Sequence, residues 1–131
     1  MIFGDYDEDN YDEAYCFTVG NDSLFLYGMD PRQPSRFFLY RKFIARAPRP
    51  NPNSKNRWDI QSINGILLDC NGDGFKELIF NVMCGFSLQP RRIYAFDIRN
   101  KQIIAQSPEG GAYLNMLLAY DFNGDQKPEI L

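Results

Sequence analysis

The amino-acid sequence predicts an all-β chain of short antiparallel strands, and three observations support this fold class. Short runs rich in β-branched and aromatic side chains recur along its 131 residues. Turn-forming Asn, Asp and Gly residues stand at the junctions between these runs. An acidic pattern, DCNGDGFKE at residues 69–77, returns near both ends of the chain. The pattern indicates a repeat, with one strand on each side of every acidic loop.

Three strands are predicted in the first half of the chain. They are EAYCFTVG (13–20), SLFLYGM (23–29) and RFFLYRKFIAR (36–46). Asn21 and Asp22 form the turn between the first two strands. The stretch APRPNPNSKNR (47–57) contains three prolines, which interrupt regular structure. It is therefore predicted to be a long loop that ends before Trp58.

Four strands are predicted in the second half. They are ILLD (66–69), ELIFNVMC (77–84), RRIYAFDI (91–98) and KQIIAQS (101–107). Four short strands with a turn at each junction make up one blade of a β-propeller. We therefore expect one propeller segment over residues 1–131. Its predicted parts are a four-stranded blade at about 1–50, a second at about 58–108 and the opening hairpin of a third at about 112–131.

The acidic pattern occurs three times, and the same residue types stand at the same positions. Position one is Asp, position three is Asp or Asn, position five is Asp and position nine is Glu. These residues are Asp5, Asp7, Asp9 and Glu13 in the first loop, Asp69, Asn71, Asp73 and Glu77 in the second, and Asp121, Asn123, Asp125 and Glu129 in the third. Three matches at similar spacing predict a structural unit rather than three chance acidic turns.

Oxygen-bearing residues at positions one, three and five suit a calcium ion, which takes about six to eight oxygen ligands. Position seven offers a backbone carbonyl, from Tyr11, Phe75 or Lys127. Position twelve, where an EF-hand carries its closing acid, is Cys16 in the first loop and Phe80 in the second, so these are not EF-hands. The alternative is a set of plain turns without metal, because Asp, Asn and Gly also form turns. A plain turn does not require the recurrent Glu, so the calcium interpretation is preferred.

The stretches GDYDEDNYDEA, LDCNGDGFKEL and YDFNGDQKPEI resemble the calcium loops of FG-GAP/VCBS-type repeats, the blades of integrin-α-like β-propellers. The family pattern is D-x-[DN]-x-D-G-x-x-[DE], and the similarity extends over essentially the whole chain. It implies that positions one, three, five and nine of each loop bind Ca²⁺, with up to three ions in all. The third site matches least well, because Gln126 replaces the glycine of position six. Such propellers occur in adhesion receptors, in bacterial surface and sensor proteins and in some polysaccharide lyases.

Charge is divided unevenly along the chain. The three loops hold 12 of the 17 acidic residues and two of the 14 basic ones, which leaves 12 bases and five acids elsewhere. Eight bases and no acid lie between Pro31 and Trp58. One hypothesis is that Arg41, Lys42 and Arg46 bind an anionic ligand, such as an acidic glycan or the acidic patch of a protein. The alternative is a solvated outer strand whose cations balance nearby acids.

The predicted function is a non-enzymatic, calcium-binding module for ligand binding, adhesion or extracytoplasmic sensing. The alternative is a substrate-facing part of a calcium-dependent polysaccharide-active enzyme such as a polysaccharide lyase. The chain has no histidine, which excludes Ser-His-Asp and Cys-His catalysis within it. The three cysteines form no CxxC pair, so neither a disulfide framework nor a zinc site is expected.

Partners and location follow from the same features. A closed propeller needs about four to eight blades, so we expect further blades of a larger protein or self-association. Nucleic acid is not an expected partner. No signal peptide is visible in MIFGDYDEDN, and no apolar run approaches the roughly 20 residues of a membrane span. The family resemblance implies an extracytoplasmic or cell-surface location.

Overall fold

A computed structural model describes residues 1–33, 40–47, 58–85, 88–110, 117–125 and 127–131. The strands are β1 (Ile2–Gly4), β2 (Glu13–Gly20), β3 (Ser23–Met29), β4 (Tyr40–Arg46), β5 (Gly65–Leu68), β6 (Glu77–Met83), β7 (Arg91–Asp97), β8 (Gln102–Gln106), β9 (Ala119–Tyr120) and β10 (Glu129–Ile130). One short 3-10 helix spans Ile60–Ser62. The predicted all-β class is confirmed. Across the described ranges, no helix has the length and apolar character needed to cross a membrane.

The strands form two four-stranded antiparallel sheets and one two-stranded pair. The first sheet has the order β1-β2-β3-β4, the second has the order β5-β6-β7-β8, and β9 pairs with β10. Within each sheet, strands that are consecutive in sequence are hydrogen-bonded neighbours.

Seven predicted strands are confirmed, with small differences at their ends. The strand predicted at 36–46 is observed from Tyr40 onwards, and its residues 36–39 lie outside the described part of the chain. Most of the predicted loop at 47–57 also lies outside it. The sequence analysis missed β1, which pairs with β2 through Ile2 opposite Tyr15. As a result, the first acidic loop has a strand on each side, as do the second and third loops.

The hydrophobic core lies between the two four-stranded sheets. Leu24 and Leu26 of β3 are fully buried on one side, and Phe80 and Phe96 are fully buried on the other. The ring centroids of Phe17 and Phe80 are 4.9 Å apart across this core. Burial of one such side chain contributes about 1.5–3 kcal/mol to the free energy of unfolding. The alternation of apolar residues along β3 therefore brings the two sheets face to face.

The packing brings the first two acidic loops into contact. The Lys76 N–H group in the second loop donates to the Tyr6 carbonyl of the first, at 2.8 Å. The Lys76 side chain also donates, through Nζ, to the Asp5 carbonyl at 3.1 Å. The two loops therefore lie side by side at the same edge of the paired sheets.

Candidate metal site

The three acidic loops share a frame of hydrogen bonds that begins at the Asp of position one. Asp69 accepts from the Gly72 N–H at 2.7 Å and from the Gly74 N–H at 3.0 Å. Asp5 accepts from the Asn10 N–H at 2.8 Å, in the way that Asp69 accepts from Gly74. In the third loop Asp121 accepts from the Gly124 N–H at 2.6 Å, in the way that Asp69 accepts from Gly72. The position-one carboxylate therefore organises the tight part of each loop.

These bonds have an electrostatic consequence for the position-one carboxylates. The N–H groups of Gly74 and Gly72 stabilise the charged form of Asp69, so its pKa is lowered. At Asp5, burial favours the neutral form and raises the pKa. The N–H groups of Asn10 and Asp9 together outweigh burial, so the pKa of Asp5 is also lowered. Both side chains are therefore held ionised, as a metal ligand must be.

Positions five and nine complete the frame in every loop. The N–H of position seven donates to the Asp of position five, and the N–H of position two donates to the Glu of position nine. The first set of distances is 3.0 Å for Tyr11 to Asp9, 3.0 Å for Phe75 to Asp73 and 2.9 Å for Lys127 to Asp125. The second set is 3.3 Å for Tyr6 to Glu13, 3.0 Å for Cys70 to Glu77 and 2.8 Å for Phe122 to Glu129. The recurrent Glu thus closes each loop onto its own beginning.

Positions four and six of the first two loops adopt left-handed backbone, with positive φ. In the second loop both are glycines, Gly72 at +80° and Gly74 at +85°, for which this conformation carries no steric penalty. In the first loop they are Glu8 at +61° and Asn10 at +71°. The family pattern has a glycine at position six, but it gives no signal for this backbone at position four. Gln126, at position six of the third loop, lies outside the described residues.

Position three separates the first loop from the other two. The Asn71 amide donates to Glu77 Oε1 at 3.0 Å, and the Asn123 amide donates to Glu129 Oε1 at 2.7 Å. The Asp7 side chain has no N–H group that could donate to Glu13 in the same way. Asp7 Oδ1 and Glu13 Oε1 are consequently buried without a hydrogen-bond partner among the described residues. The first loop therefore contains two carboxylate oxygens that its own side chains do not satisfy.

Three carboxylates converge at this point. One oxygen from each of Asp5, Asp7 and Glu13 lies within 4.8 Å of the other two. Glu13 is only 4% exposed. Burial is the main cause that raises the pKa of Glu13 to about 7. The hydrogen bond from the Tyr6 N–H lowers this pKa, whereas the negative charge of Asp7 raises it further. A convergent set of three carboxylates, one of them buried, provides the oxygen donors that a hard divalent ion prefers.

Two basic side chains approach the first loop. Arg32 pairs with Asp9 and with Asp30, and its Nη2 lies 3.8 Å from Glu13 Oε1. Lys76 Nζ lies 3.6 Å from Glu8. The loop itself contains six acidic residues, so these two cations neutralise only part of its charge. Asp9, one of the four predicted ligands, is directed towards Arg32.

The structure does not place the three predicted ligand-binding cations on one surface. Arg41 stands opposite Tyr27 and Lys42 opposite Leu26, so these consecutive side chains lie on opposite faces of the first sheet. The Arg41 guanidinium lies 3.6 Å from the centroid of the Phe25 ring. Arg46 forms an ion pair with Asp22 at 3.2 Å. The ion pair of Arg46 agrees with the second interpretation of these residues, in which the cations balance nearby acids.

Two features of the site were not anticipated from the sequence. The Cys70 thiol, which stands beside the Asp of position one, lies 3.1 Å from Glu77 Oε2 and donates to it. A cavity of about 340 Å³ adjoins the first loop, and its walls include Glu13, Tyr15 and Tyr40. The alternation of Glu13 and Tyr15 along β2 signals that both face the core, but the cavity itself depends on the second sheet.

Comparison with protein-family models, with curated proteins and with solved structures gives no match to this chain. The geometry of the loops and sheets is therefore the basis on which a function is assigned.

Proposed function

We propose that this chain is a segment of a calcium-stabilised β-propeller of the FG-GAP/VCBS type, which acts as a non-enzymatic ligand-binding module. Two four-stranded antiparallel sheets, each in sequence order, support this proposal. A third strand pair, β9 with β10, repeats the opening hairpin of both sheets. In all three, the acidic loop joins the first strand to the second. This is the arrangement expected of consecutive blades.

The observation that carries the calcium assignment is the pair of buried oxygens in the first loop. Asp7 Oδ1 and Glu13 Oε1 find no hydrogen-bond donor in the described part of the chain. A buried carboxylate oxygen without a hydrogen bond is costly, and two carboxylates that converge also repel each other. A divalent cation removes both penalties, because it attracts both charges and occupies their lone pairs. Arg32 and Lys76 alone leave four of the six negative charges of this loop unbalanced.

The role assigned to calcium is structural. A bound ion would hold Asp5, Asp7 and Glu13 together and so fix the turn between β1 and β2. The second loop donates twice to the backbone of Asp5 and Tyr6, through Lys76. Order at the first loop is therefore transmitted to the hairpin of the second sheet. Calcium would stabilise the contact between two blades as well as one turn.

Calcium titration of the chelator-treated protein tests this function. We expect heat of binding in calorimetry and a rise in melting temperature, because a ligand that binds only the folded state stabilises it. The gain is about 2.7 kcal/mol at a hundredfold excess over Kd. Mg²⁺ should have a smaller effect, because it demands regular octahedral geometry and retains its water.

The variant Asp7→Asn provides the matched control. It keeps the side-chain shape but supplies the amide donor found at position three of the other loops, so it should lower the calcium affinity of the first loop. A melting temperature that is unchanged by saturating Ca²⁺, with no binding heat, would overturn the proposal.

A further inference from the structure

The cavity between the two sheets has the size and polarity of a binding site. Its volume is about 340 Å³, within the range of pockets that hold small molecules. Its walls come from both sheets: Glu13 and Tyr15 belong to β2, Tyr40 to β4, and Arg99 and Lys101 to the turn between β7 and β8.

Two phenol hydroxyls in the cavity wall lack partners. Tyr15 is 1% exposed, and its hydroxyl and that of Tyr40 are both buried without a hydrogen bond to any described residue. Gly28 lies opposite Tyr15 on β3, and a Cβ atom at this position would overlap the Tyr40 ring. The absent side chain thus allows the Tyr40 ring to lie against the sheet beside Tyr15. Buried hydroxyls without partners are rare in folded proteins, and they are normally satisfied by water or by a ligand.

Two basic side chains stand where the cavity meets solvent. Arg99 and Lys101 are both exposed, and neither forms a salt bridge with the described residues. The Arg99 guanidinium lies 4.3 Å from the centroid of the Phe75 ring, and Lys101 Nζ lies 5.7 Å from that of the Tyr40 ring. Contacts with these two aromatic rings therefore restrain both cations, which themselves line the cavity.

We propose that this cavity binds a small carboxylate that also carries hydroxyl groups, of the size of one uronic acid residue. Arg99 and Lys101 would bind the carboxylate, and the hydroxyls of Tyr15 and Tyr40 would exchange hydrogen bonds with those of the ligand. The inference rests on the proposed function in one respect: a cation in the first loop would neutralise Glu13, whose negative charge otherwise weakens the binding of an anion in the cavity. The proposed anion-binding site is thus the cavity between the sheets, in place of the surface predicted from the sequence at Arg41, Lys42 and Arg46.

The test is a titration of the full chain with sodium D-glucuronate in saturating Ca²⁺, followed by calorimetry and by NMR. We expect glucuronate to bind, and both D-glucose, which lacks the carboxylate, and acetate, which lacks the hydroxyls, to bind at least about tenfold more weakly. Lys101→Gln should weaken glucuronate binding about tenfold, since it removes a charged donor. Tyr15→Phe and Tyr40→Phe should each weaken it by a smaller factor. Arg41→Gln, which removes an exposed cation from the face of the first sheet opposite to Tyr40, should leave it unchanged.

The outcomes separate this inference from the proposed function. If Ca²⁺ raises the melting temperature but millimolar glucuronate does not bind, water alone fills the cavity, and the inference fails while the calcium module stands. If glycine binds in place of glucuronate and competes with Ca²⁺, the cavity binds the ammonium group of glycine at Glu13, and the inference is again overturned. If glucuronate binds with the expected loss in Lys101→Gln but Ca²⁺ has no effect, the cavity assignment survives and the calcium function does not.

Discussion

The first and second acidic loops have the same length and the same hydrogen-bond frame, but they are closed by different chemistry. In the second loop Asn71 donates to Glu77, so the buried carboxylate is satisfied without a cation. In the first loop Asp7 takes the place of that amide, and Glu13 is left with a buried oxygen that no described donor reaches. One side-chain atom, an amide nitrogen or a carboxylate oxygen, thus decides whether the loop itself satisfies the buried Glu of position nine.

The groups that surround the two loops also differ in charge. Glu77 accepts from both the backbone and the thiol of Cys70, and it lies 2% exposed. Burial is the main cause that raises the Cys70 pKa to about 12, with the hydrogen bond to Glu77 next, so the thiol stays a donor. Arg32 approaches the first loop instead. The second loop is closed by neutral donors, whereas charged groups surround the first.

Exchange of the position-three residues should produce the largest effect. Asn71→Asp places a second carboxylate against buried Glu77 and removes its amide donor, so we expect the metal-free protein to lose about 3 kcal/mol of unfolding free energy. The converse change, Asp7→Asn, should raise it by about 1 kcal/mol, because the new amide can donate to Glu13. Urea unfolding in chelator measures both. Equal effects from the two substitutions would show that the loops are closed in the same way.

Removal of one charge at position nine should act with opposite sign in the two loops. Glu13→Gln relieves repulsion and supplies a donor for Asp7, so it should stabilise the metal-free protein by about 1 kcal/mol. Glu77→Gln should destabilise the metal-free protein by a similar amount, because the NH₂ group of the new glutamine would face the NH₂ donor of Asn71. Glu129→Gln in the more exposed third loop is the control, and its effect should be smaller. Chemical unfolding in chelator reads all three, and a gain of stability in Glu77→Gln would refute the distinction.

The pH dependence of stability should show the smallest effect, and it should originate in the first loop. The folded-state pKa of Glu13, raised by burial to about 7, lies above its ordinary value of 4.5, so the folded state binds this proton more tightly. Its contribution to stability is therefore complete below 4.5 and is lost as the pH rises through 7. In chelator, the melting temperature should fall over this interval.

The control for this pH effect is Glu13→Gln, which should flatten the curve. Calcium affinity should rise over the same interval, because the ion requires the ionised carboxylate. A melting curve of the metal-free protein with the same slope in Glu13→Gln would assign the titration to another group.

Much of the fold was predictable because its signals are local. The strands from Glu13–Gly20 to Gln102–Gln106 carry apolar and β-branched runs between turn residues, and these properties act over a few neighbouring residues. The frame of each acidic loop is also local, since its hydrogen bonds join residues no more than seven positions apart. The type, order and antiparallel pairing of the elements therefore follow from short stretches of sequence.

Other features depend on residues that are distant in the chain. Strand β1 has only three residues, too few for a periodic pattern, and it becomes recognisable only when it pairs with β2. The placement of Arg41 and Lys42 on opposite faces follows from the strand register, which sequence composition does not reveal.

The sequence by itself determined the strands, the three acidic loops and the residue types that can bind an ion. Only the tertiary structure decided that Glu13 Oε1 is buried without a hydrogen-bond donor among the described residues, that Lys76 reaches the backbone of Asp5, and that a cavity forms beside Tyr15. The physical reason is that burial and the balance of charge depend on both sheets together. Lys76 and Asp5 are 71 residues apart, and they meet only because the two sheets pack against each other.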